Sequence, residues 1–449
     1  YGNDEELILR RMQRERFVLP KGCSFLDLYN QRNESNIGEI INIALEHIEE
    51  TNKQKLSGVF RNIDFNSEAN LGQTKDRNAR LKHLLEDFND TRLDLSPSRV
   101  GNLDVIGNAY EYLIGQFASG AGKKAGEFYT PPMVSKLLAK LVTQGKDKLR
   151  SVYDPTCGSG SLLLRVAKEV KDVGHFYGQE QNPSTYNLAR MNMILHGVHY
   201  RRFDIQQDDT LEQPHHLEHK FEAVVANPPF SAKWSASQGF LTDERFQDYG
   251  KLAPASKADF AFVQHMIHQL DDNGTMAVVL PHGVLFRGAA EGHIRKHLIK
   301  EKNYLDAVIG LPANIFYGTS IPTCILVLKK NREHKDNILF IDASQSYGKA
   351  TNQNHLRDED LEAILEAVNR REFKDKFAYV AFMDKVSNEN DFNLNIPRYV
   401  DTFEEDESID LQVISESYSV TTDRINEIDE VIKRFSQQLG LPSAAGERK

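Results

Sequence analysis

The sequence predicts neither disulfide bonds nor membrane-spanning helices. Its three cysteines, Cys23, Cys157 and Cys324, are odd in number and far apart, which argues against a disulfide framework and for a reducing compartment. No uninterrupted apolar stretch approaches the roughly 20 residues that a helix needs to cross a bilayer. Residues 1–16 are charged rather than signal-like. We therefore expect a cytoplasmic protein with no membrane segment.

An excess of positive charge is also missing. The 449 residues include 65 acidic side chains against 55 lysines and arginines, a formal net charge of −10. Affinity for nucleic acid comes from Lys and Arg that neutralise phosphates. A chain of this charge would therefore bind nucleic acid through a local basic surface, or with a partner that supplies one. The length, with 40% hydrophobic residues, predicts two or three domains with substantial cores.

Helical spacing of apolar residues marks the first part of the chain. Residues such as Ile37, Ile41 and Ile48 recur on one helical face, so residues 1–120 are predicted to form a helical domain. A glycine-rich hinge follows. After the hinge, Thr130 is predicted to be the N-cap of a new helix with proline at its first position.

From residue 149 onward, short apolar runs alternate with helical stretches. This alternation predicts an α/β domain with a Rossmann-like, mostly parallel sheet and helices on both faces. The run at 322–328 follows the preceding run too closely for a crossover helix, so we expect it to return antiparallel. The strands are predicted near residues 150–154, 175–180, 203–206, 221–226, 275–280, 304–309, 322–328 and 338–342.

The remainder of the chain is predicted to hold short elements and one long helix, with the sheet ending near residue 330. We assign residues 121–345 to the sheet domain and residues 346–408 to a C-terminal extension with an acidic helix. Residues 409–449 form a helical tail in which Ile, Leu and Val recur at helical spacing among charges. That pattern is typical of a coiled-coil arm.

A polar corner closes the apolar run 221–226. It consists of Asn227, Pro228, Pro229 and Phe230, and ligands of open α/β sheets bind beyond the carboxyl ends of the strands. The Asn227 side-chain oxygen and the Pro228 carbonyl could accept both hydrogens of an exocyclic amine, and Phe230 offers a face to a planar ring. An ordinary strand exit, with Asn-Pro as a turn signal, explains the same residues.

A glycine-containing turn follows the first predicted strand. Residues 154–161 lead into a helix at 162–170, where glycines let the main chain approach a ligand. Glu180 ends the second strand, where an acidic side chain can hold ribose hydroxyls. Leu163 replaces the third glycine of the NAD fingerprint, and no Gly-Lys-Ser/Thr follows as in a P-loop. We therefore expect a different nucleoside-containing cofactor.

Each of three further polar segments allows two interpretations. Asp208 to Thr210 follow the third strand and would contact a purine or form a solvated acidic turn. The loop 231–255 would close over a substrate, or Trp234 would pack within it. The cluster of His215, His216 and His219 is predicted to be a solvated connection, since it lacks the cysteines or spaced acids of a metal site.

These segments, in this order, resemble the N6-adenine DNA methyltransferases, and specifically the modification subunit of type I restriction-modification systems. The matching part covers roughly residues 100–330. It comprises Glu-Phe-Tyr-Thr-Pro at 127–131, Asp-Pro-Thr-Cys-Gly-Ser-Gly at 154–160, Gly-Gln-Glu-Gln-Asn at 178–182, Asn-Pro-Pro-Phe at 227–230, Leu-Pro-His-Gly-Val-Leu-Phe-Arg-Gly at 280–288 and Gly-Leu-Pro-Ala-Asn-Ile-Phe-Tyr-Gly-Thr-Ser-Ile at 310–321.

The resemblance implies S-adenosylmethionine as cofactor and a flipped adenine as substrate, with no metal. Asn227 to Phe230 would hold the adenine, Glu180 the cofactor ribose, and Asp209 the cofactor adenine or the amine side of the substrate. Cys157 stands where relatives often carry alanine, and we interpret it as a small filler rather than a nucleophile. The other cofactor residues implied are Glu127, Phe128, Tyr129, Thr130, Pro131, Pro132, Asp154, Thr156, Gly158, Ser159, Gly160 and Asn182.

The family also implies partners. No evident domain for recognising a DNA sequence follows the sheet, so we expect double-stranded DNA to be read by a separate specificity subunit. The resemblance implies two copies of this chain per complex and, in restriction-competent assemblies, a nuclease-translocase subunit. The N-terminal helices would grip DNA or a partner, and the tail would dock on the specificity subunit. Methylation of ribosomal-RNA guanine or of release-factor glutamine, and a non-catalytic scaffold, remain alternatives.

Overall fold

The computed structural model describes residues 17–60, 63–94, 99, 104–120, 129–350, 353–402 and 411–441. Glu127 and Phe128, both predicted to contact the cofactor, lie outside these residues. The chain divides into two units, Tyr1–Asp401 and Thr402–Lys449.

The first unit begins with helices, as the apolar spacing predicts. Ile37, Ile41, Leu81 and Leu85 form a small buried core between two of them. The helices are α1 (Phe25–Asn30), α2 (Ile37–Thr51), α3 (Lys53–Leu56), α4 (Glu68–Leu71), α5 (Thr74–Phe88) and α6 (Val105–Gly120).

A nine-stranded sheet forms the centre of the first unit, in the order β11-β8-β6-β7-β5-β4-β1-β2-β3. Seven strands run in one direction, while β7 is antiparallel to β5 and β6, and β11 is antiparallel to β8. The strands are β1 (Lys148–Asp154), β2 (Asp172–Glu180), β3 (Phe203–Gln207), β4 (Phe221–Ala226), β5 (Leu270–Pro281), β6 (Leu305–Gly310), β7 (Thr323–Lys329), β8 (Asn337–Asp342) and β11 (Ala378–Phe382); β9 (Gly348–Lys349) and β10 (Asn354–His355) form a separate hairpin.

Both faces of the sheet are buried, which explains the nearly continuous apolar runs of its strands. In β4, Val224 packs into one core and Val225 into the other, because successive side chains point to opposite faces. On the Val225 face lie α7 (Pro132–Thr143), α8 (Ser161–Lys168), α9 (Pro183–Leu195) and α12 (Asp358–Arg370). On the Val224 face lie α10 (Asp259–Gln269) and α11 (Ala289–Lys300). The predicted fold class is confirmed.

Two sequence expectations were wrong. The sheet does not end near residue 330, because β8 adds beside β6 and β11 beside β8, and both strands bury side chains. Thr130 is not the helix N-cap, because Pro131 with ψ of 138° is the last extended residue and helix α7 begins at Pro132.

The second unit contains one long helix, α13 (Leu411–Leu439). Its apolar side chains recur four and three residues apart, the heptad spacing of coiled coils. These residues are Ile414, Tyr418, Ile425, Ile428, Ile432, Phe435 and Leu439, and Phe435 is 53% exposed. Among the described residues, no helix is both long and apolar enough to cross a bilayer.

Candidate active site

The predicted functional residues converge on one edge of the sheet. Strands β1, β2 and β4 are parallel and end at Asp154, Glu180 and Ala226. The carboxyl ends of parallel strands meet at the same edge, which is where α/β sheets bind ligands. Strand β7, being antiparallel, begins at this edge with Thr323, and Leu311 donates its backbone N–H to the Thr323 carbonyl at 2.9 Å.

The turn after β1 has a conformation that requires its glycines. Gly158 and Gly160 have φ of 52° and 74°, in the left-handed region that other L-residues rarely adopt. The Asp154 side chain, 2% exposed, accepts the Thr156 N–H at 2.9 Å. Burial raises the pKa of Asp154 to about 7.

Glu180 connects this turn to the next helix. Its two carboxylate oxygens accept the N–H groups of Gly158 at 3.0 Å and Asn182 at 2.8 Å. Burial raises its pKa above the usual range. Asn182 caps α9 through its side-chain oxygen, which accepts from Ser184 at 2.9 Å and Thr185 at 3.1 Å. The amide oxygen of Asn182 is thus used by the helix.

Cys157 packs inside the turn. It is 5% exposed, and its N–H donates to the Gln179 carbonyl at 2.9 Å. A Cβ on Gly178 would lie 3.0 Å from its sulfur, so the two residues fit closely. Burial raises the pKa of the Cys157 thiol well above its usual range, and a thiol held protonated is a poor nucleophile.

A cavity of about 320 Å³ lies beside the turn. Its lining includes both the predicted ribose residue Glu180 and the predicted purine contact Asp209. Asp209 is fixed there, because one of its oxygens accepts the Leu211 N–H at 2.9 Å. The cavity is lined by Pro155, Thr156, Glu180, Gln181, Asn182, Asp208, Asp209, Thr210, Leu211, Pro229, Ala232, Lys233, Trp234 and Phe262.

The loop 231–255 also lines this cavity, through Ala232, Lys233 and Trp234, and its buried side chains join the core on the Val224 face of the sheet. Trp234 is 7% exposed, stacks on Phe240 with ring centroids 5.3 Å apart, and donates its indole N–H to the Pro254 carbonyl at 3.1 Å. Arg245, 3% exposed, donates to the carbonyls of Thr210 at 3.2 Å and Leu211 at 2.9 Å. Arg245 was not predicted from the sequence; it pairs with Asp243 at 2.8 Å, two residues away, and from there reaches the distant segment of Thr210 and Leu211.

The Asn227 corner contains an unsatisfied acceptor. Asn227 is 6% exposed, and its side-chain oxygen is buried with no hydrogen-bond partner among the described residues. A second cleft of about 10 Å³ brings Asn227 together with Thr130, Asp154 and Gly158. Pro228 is buried, so the corner presents a fixed edge beside the turn.

Aromatic rings gather on one side of this corner. Phe230 lies edge-on to Phe316, with centroids 5.4 Å apart and planes at 80°. Tyr129 lies 5.9 Å from Tyr317, centroid to centroid, and its hydroxyl faces Gly115 of α6. Tyr129 lines neither cavity, whereas Thr130 lines the smaller one. Pro131 is the N-cap of α7, and Pro132 is its first residue.

Within the histidine cluster, His215 is exposed and His219 is partly exposed, as the predicted solvated connection requires, but His216 is not. His216 is 2% exposed, lies edge-on to the rings of Tyr153 and Tyr177, and approaches Asp204 at 3.3 Å. Its surroundings are aromatic, which explains the burial. In the part of the chain that the structure describes, no three His, Cys, Asp or Glu side chains are grouped as a metal site would require.

The residues present fit S-adenosylmethionine, a nucleoside that carries a positively charged sulfonium and an amino acid group. The carboxyl of Asp154 suits its positive charges, and that of Glu180 suits its ribose hydroxyls. Left-handed glycines leave room for close main-chain approach. The cavity beside them has walls that can bury a nucleoside.

Comparisons with known proteins agree with this geometry. The family model "N-6 DNA Methylase" matches residues 101–408, and "HsdM N-terminal domain" matches residues 1–88. The type I restriction enzyme MpnII methylase subunit of Mycoplasma pneumoniae is 41% identical over 403 residues, covering 86% of this chain and 73% of its own length. The HindI methylase subunit of Haemophilus influenzae is 32% identical, with 83% and 85% covered.

A solved structure is similar over nearly the whole length. The type I restriction-modification methyltransferase subunit from Streptococcus thermophilus has 45% identity and a TM-score of 0.82, covering 90% of this chain and 86% of its own. These matches favour DNA adenine methylation over the alternatives in RNA or protein. The chain belongs to the N-6 DNA methylase family, as a methylase subunit of type I restriction enzymes that transfers methyl from S-adenosylmethionine to adenine N6.

Proposed function

We propose that the Asn227 corner receives the target adenine, extruded from a DNA duplex, while the cavity beside it holds S-adenosylmethionine. The observation that carries this proposal is the buried Asn227 side-chain oxygen without a partner. A buried acceptor without a hydrogen-bond partner destabilises the free protein by roughly 1–3 kcal/mol. A substrate that donates a hydrogen bond relieves this cost, so the corner favours an amine.

The chemistry at the corner follows from two fixed acceptors. S-adenosylmethionine supplies an electrophilic methyl group when it is bound. The lone pair of adenine N6 is delocalised into the ring, which makes the amine a poor nucleophile. Hydrogen bonds from N6 to the Asn227 oxygen and the Pro228 carbonyl favour a tetrahedral nitrogen and stabilise its developing positive charge.

The remaining residues position the two reactants. Phe230 stacks on the extruded base, which offsets part of the few kcal/mol that base flipping costs. Glu180 holds the ribose, and Asp209 contacts the adenine of the cofactor or the amine side of the substrate. Thr130 and the residues from Asp154 to Gly160 surround the methionine portion, a placement supported by the cleft that they share. Alignment of methyl and nitrogen supplies much of the remaining rate enhancement.

The test is the variant Asn227→Ala. We expect methyl transfer to fall at least 100-fold, since loss of a preorganised hydrogen-bond partner costs about that much, while cofactor affinity stays within about threefold. Labelled S-adenosylmethionine with DNA, followed by digestion, identifies the product, and calorimetry measures cofactor binding. Label found solely in RNA or protein contradicts the proposal, and loss of cofactor binding means that Asn227 has a different place.

We further propose that this chain works in an assembly. Double-stranded DNA would be recognised by a separate specificity subunit, with two copies of this chain and, in some assemblies, a nuclease-translocase subunit. The net charge of −10 supports a partner that supplies DNA affinity. The apolar residues at heptad spacing along α13, from Ile414 to Leu439, form what we call the heptad stripe. This stripe supports docking of residues 409–449 on helices of the specificity subunit. We retain 1–120, 121–345 and 346–408 as the proposed domains before this tail.

A further inference from the structure

We propose that Asp259 is a positioning residue for methyl transfer, which fixes the backbone directly after Phe230 and so sets the orientation of the corner. The inference rests on the proposed role of Asn227 to Phe230. It also gives a physical role to Arg287, in the segment that follows β5.

Helix α10 holds the exit of the corner at two consecutive points. Asp259, the first residue of α10, has a side chain that is 1% exposed, and its Oδ1 accepts the Ser231 N–H at 2.8 Å. The preceding Ala258 donates its own N–H to the Ala232 carbonyl at 2.8 Å. The chain leaving Phe230 is thus bound by a buried carboxylate and by main chain.

The residue that Asp259 holds has a backbone conformation that needs support. Ser231 has φ of 53°, in the left-handed region that serine rarely occupies. The Ser231 N–H belongs to the peptide plane that contains the Phe230 carbonyl. Release of this N–H would let Ser231 relax, and the peptide plane and ring of Phe230 would turn with it.

A second group fixes Asp259 in turn. Its Oδ2 accepts from Arg287 Nη1 at 3.0 Å, and the same nitrogen donates to Glu291 at 3.1 Å. A Cβ on Gly283 would collide with the Arg287 guanidinium, so glycine leaves the space in which this arginine folds back. The Arg287 carbonyl is itself bound by the buried Arg295 at 2.9 Å.

The hydrogen-bond partners of Asp259 distinguish its proposed positioning role from ordinary capping of helix α10. Within the described chain, the N-cap of α10 is Ala258, without a side-chain cap hydrogen bond. The two Asp259 oxygens bind Ser231 and Arg287 instead. A buried carboxylate that bonds to the loop after the catalytic corner positions that loop rather than the helix.

The experiment compares Asp259→Asn, Asp259→Ala and the double variant Ser231→Gly/Asp259→Ala with a matched control. The control is Asp360→Asn, which alters another buried aspartate that binds a backbone N–H and an arginine, both of Arg357. The full chain, with its specificity partner, is assayed for kcat at saturating DNA and cofactor. Cofactor affinity, melting temperature and the identity of the methylated base are measured in parallel.

We expect kcat to fall about 100-fold in Asp259→Ala and about tenfold in Asp259→Asn, because misplacement of reacting groups by about 1 Å costs about 100-fold. Cofactor affinity should stay within about threefold. Asp360→Asn should lower the melting temperature with kcat within about threefold of wild type. Glycine adopts the left-handed conformation freely, so the double variant should be at least about fivefold faster than Asp259→Ala.

Three results would overturn the inference. One is a kcat in Asp259→Ala that equals the wild-type kcat. Another is a kcat in Asp360→Asn that falls as far as the kcat in Asp259→Asn. The third is a double variant no faster than Asp259→Ala, since Asp259 would then not act through Ser231. A wild-type enzyme that produces no N6-methyladenine would instead overturn the proposed function, on which the inference depends.

Discussion

In the proposed cofactor site, burial of the Asp154 side chain would make cofactor binding depend on pH. Burial raises its pKa to about 7, and the nearby Glu180 acts in the same direction. The protonated, neutral form is therefore populated below that pH. A positively charged cofactor binds the ionised form better, so binding releases the proton, and affinity rises with pH.

We expect the affinity for S-adenosylmethionine to increase about eightfold between about pH 6 and about pH 7.5, as the ionised fraction of Asp154 grows. Asp154→Asn, which cannot ionise, should bind more weakly and with a flatter profile. Calorimetry across this pH range measures both. A wild-type affinity that is constant or that falls over the same range would contradict this role for Asp154.

At the scale of residues, the sequence predicted those site residues whose positions depend on their neighbours along the chain. The glycines of the 154–160 turn and Glu180 were recognisable because strand ends and turn residues determine where they lie. Asp259 was not, because it bonds to Ser231, 28 residues away. Arg245 was not either, because its local pair with Asp243 does not indicate that it also binds carbonyls 34 and 35 residues away. A single buried Asp or Arg in a sequence gives no indication of which carbonyl or amide it will meet.

At the scale of elements, the loop 231–255 depends on one buried cation. Arg245→Met would leave the Thr210 and Leu211 carbonyls and the Asp243 carboxylate without their donor. This loss should lower the free energy of unfolding by on the order of 3 kcal/mol. Because residues of the loop and of the turn line the same cavity, cofactor affinity should also fall about tenfold. Chemical denaturation and calorimetry measure the two effects.

A matched control for this loop lies elsewhere in the fold. Arg332, 2% exposed, also donates to backbone carbonyls, those of His334 and Asn337. Arg332→Met should destabilise the protein to a similar extent without changing cofactor affinity. Equal losses of affinity in the two variants would show that Arg245 supports the fold alone.

The strands illustrate what sequence can predict at this scale. Runs such as Phe221 to Ala226 are buried on both faces, so their apolar character is continuous and their ends are clear. Strand β11 was not predicted from the sequence, because it is short and lies at the sheet edge, where Phe382 is 61% exposed. Its place depends on pairing with β8, and single-sequence periodicity does not encode that pairing.

At the scale of the whole molecule, assembly is the property that the tail should control. Deletion of residues 409–449 should abolish co-purification with the specificity subunit while cofactor binding persists. A finer version is Ile428→Asp/Phe435→Asp, which places charges on the heptad stripe. Asn426→Asp/Gln437→Asp adds the same charge outside the stripe and should assemble normally. Assembly of the stripe variant at wild-type level would contradict docking through α13.

The antiparallel return of β7 has a consequence for how this enzyme family can change. Segment 311–322 leaves and rejoins the sheet at one point, closed by the bond from Leu311 to Thr323, and it brings Phe316 against Phe230. Insertions and substitutions in such a loop leave strand positions intact. Under the proposed placement of base and cofactor, descendants can therefore remodel the side of the corner that would meet the base while they inherit the side that would hold the cofactor, built on β1 to β4, without alteration.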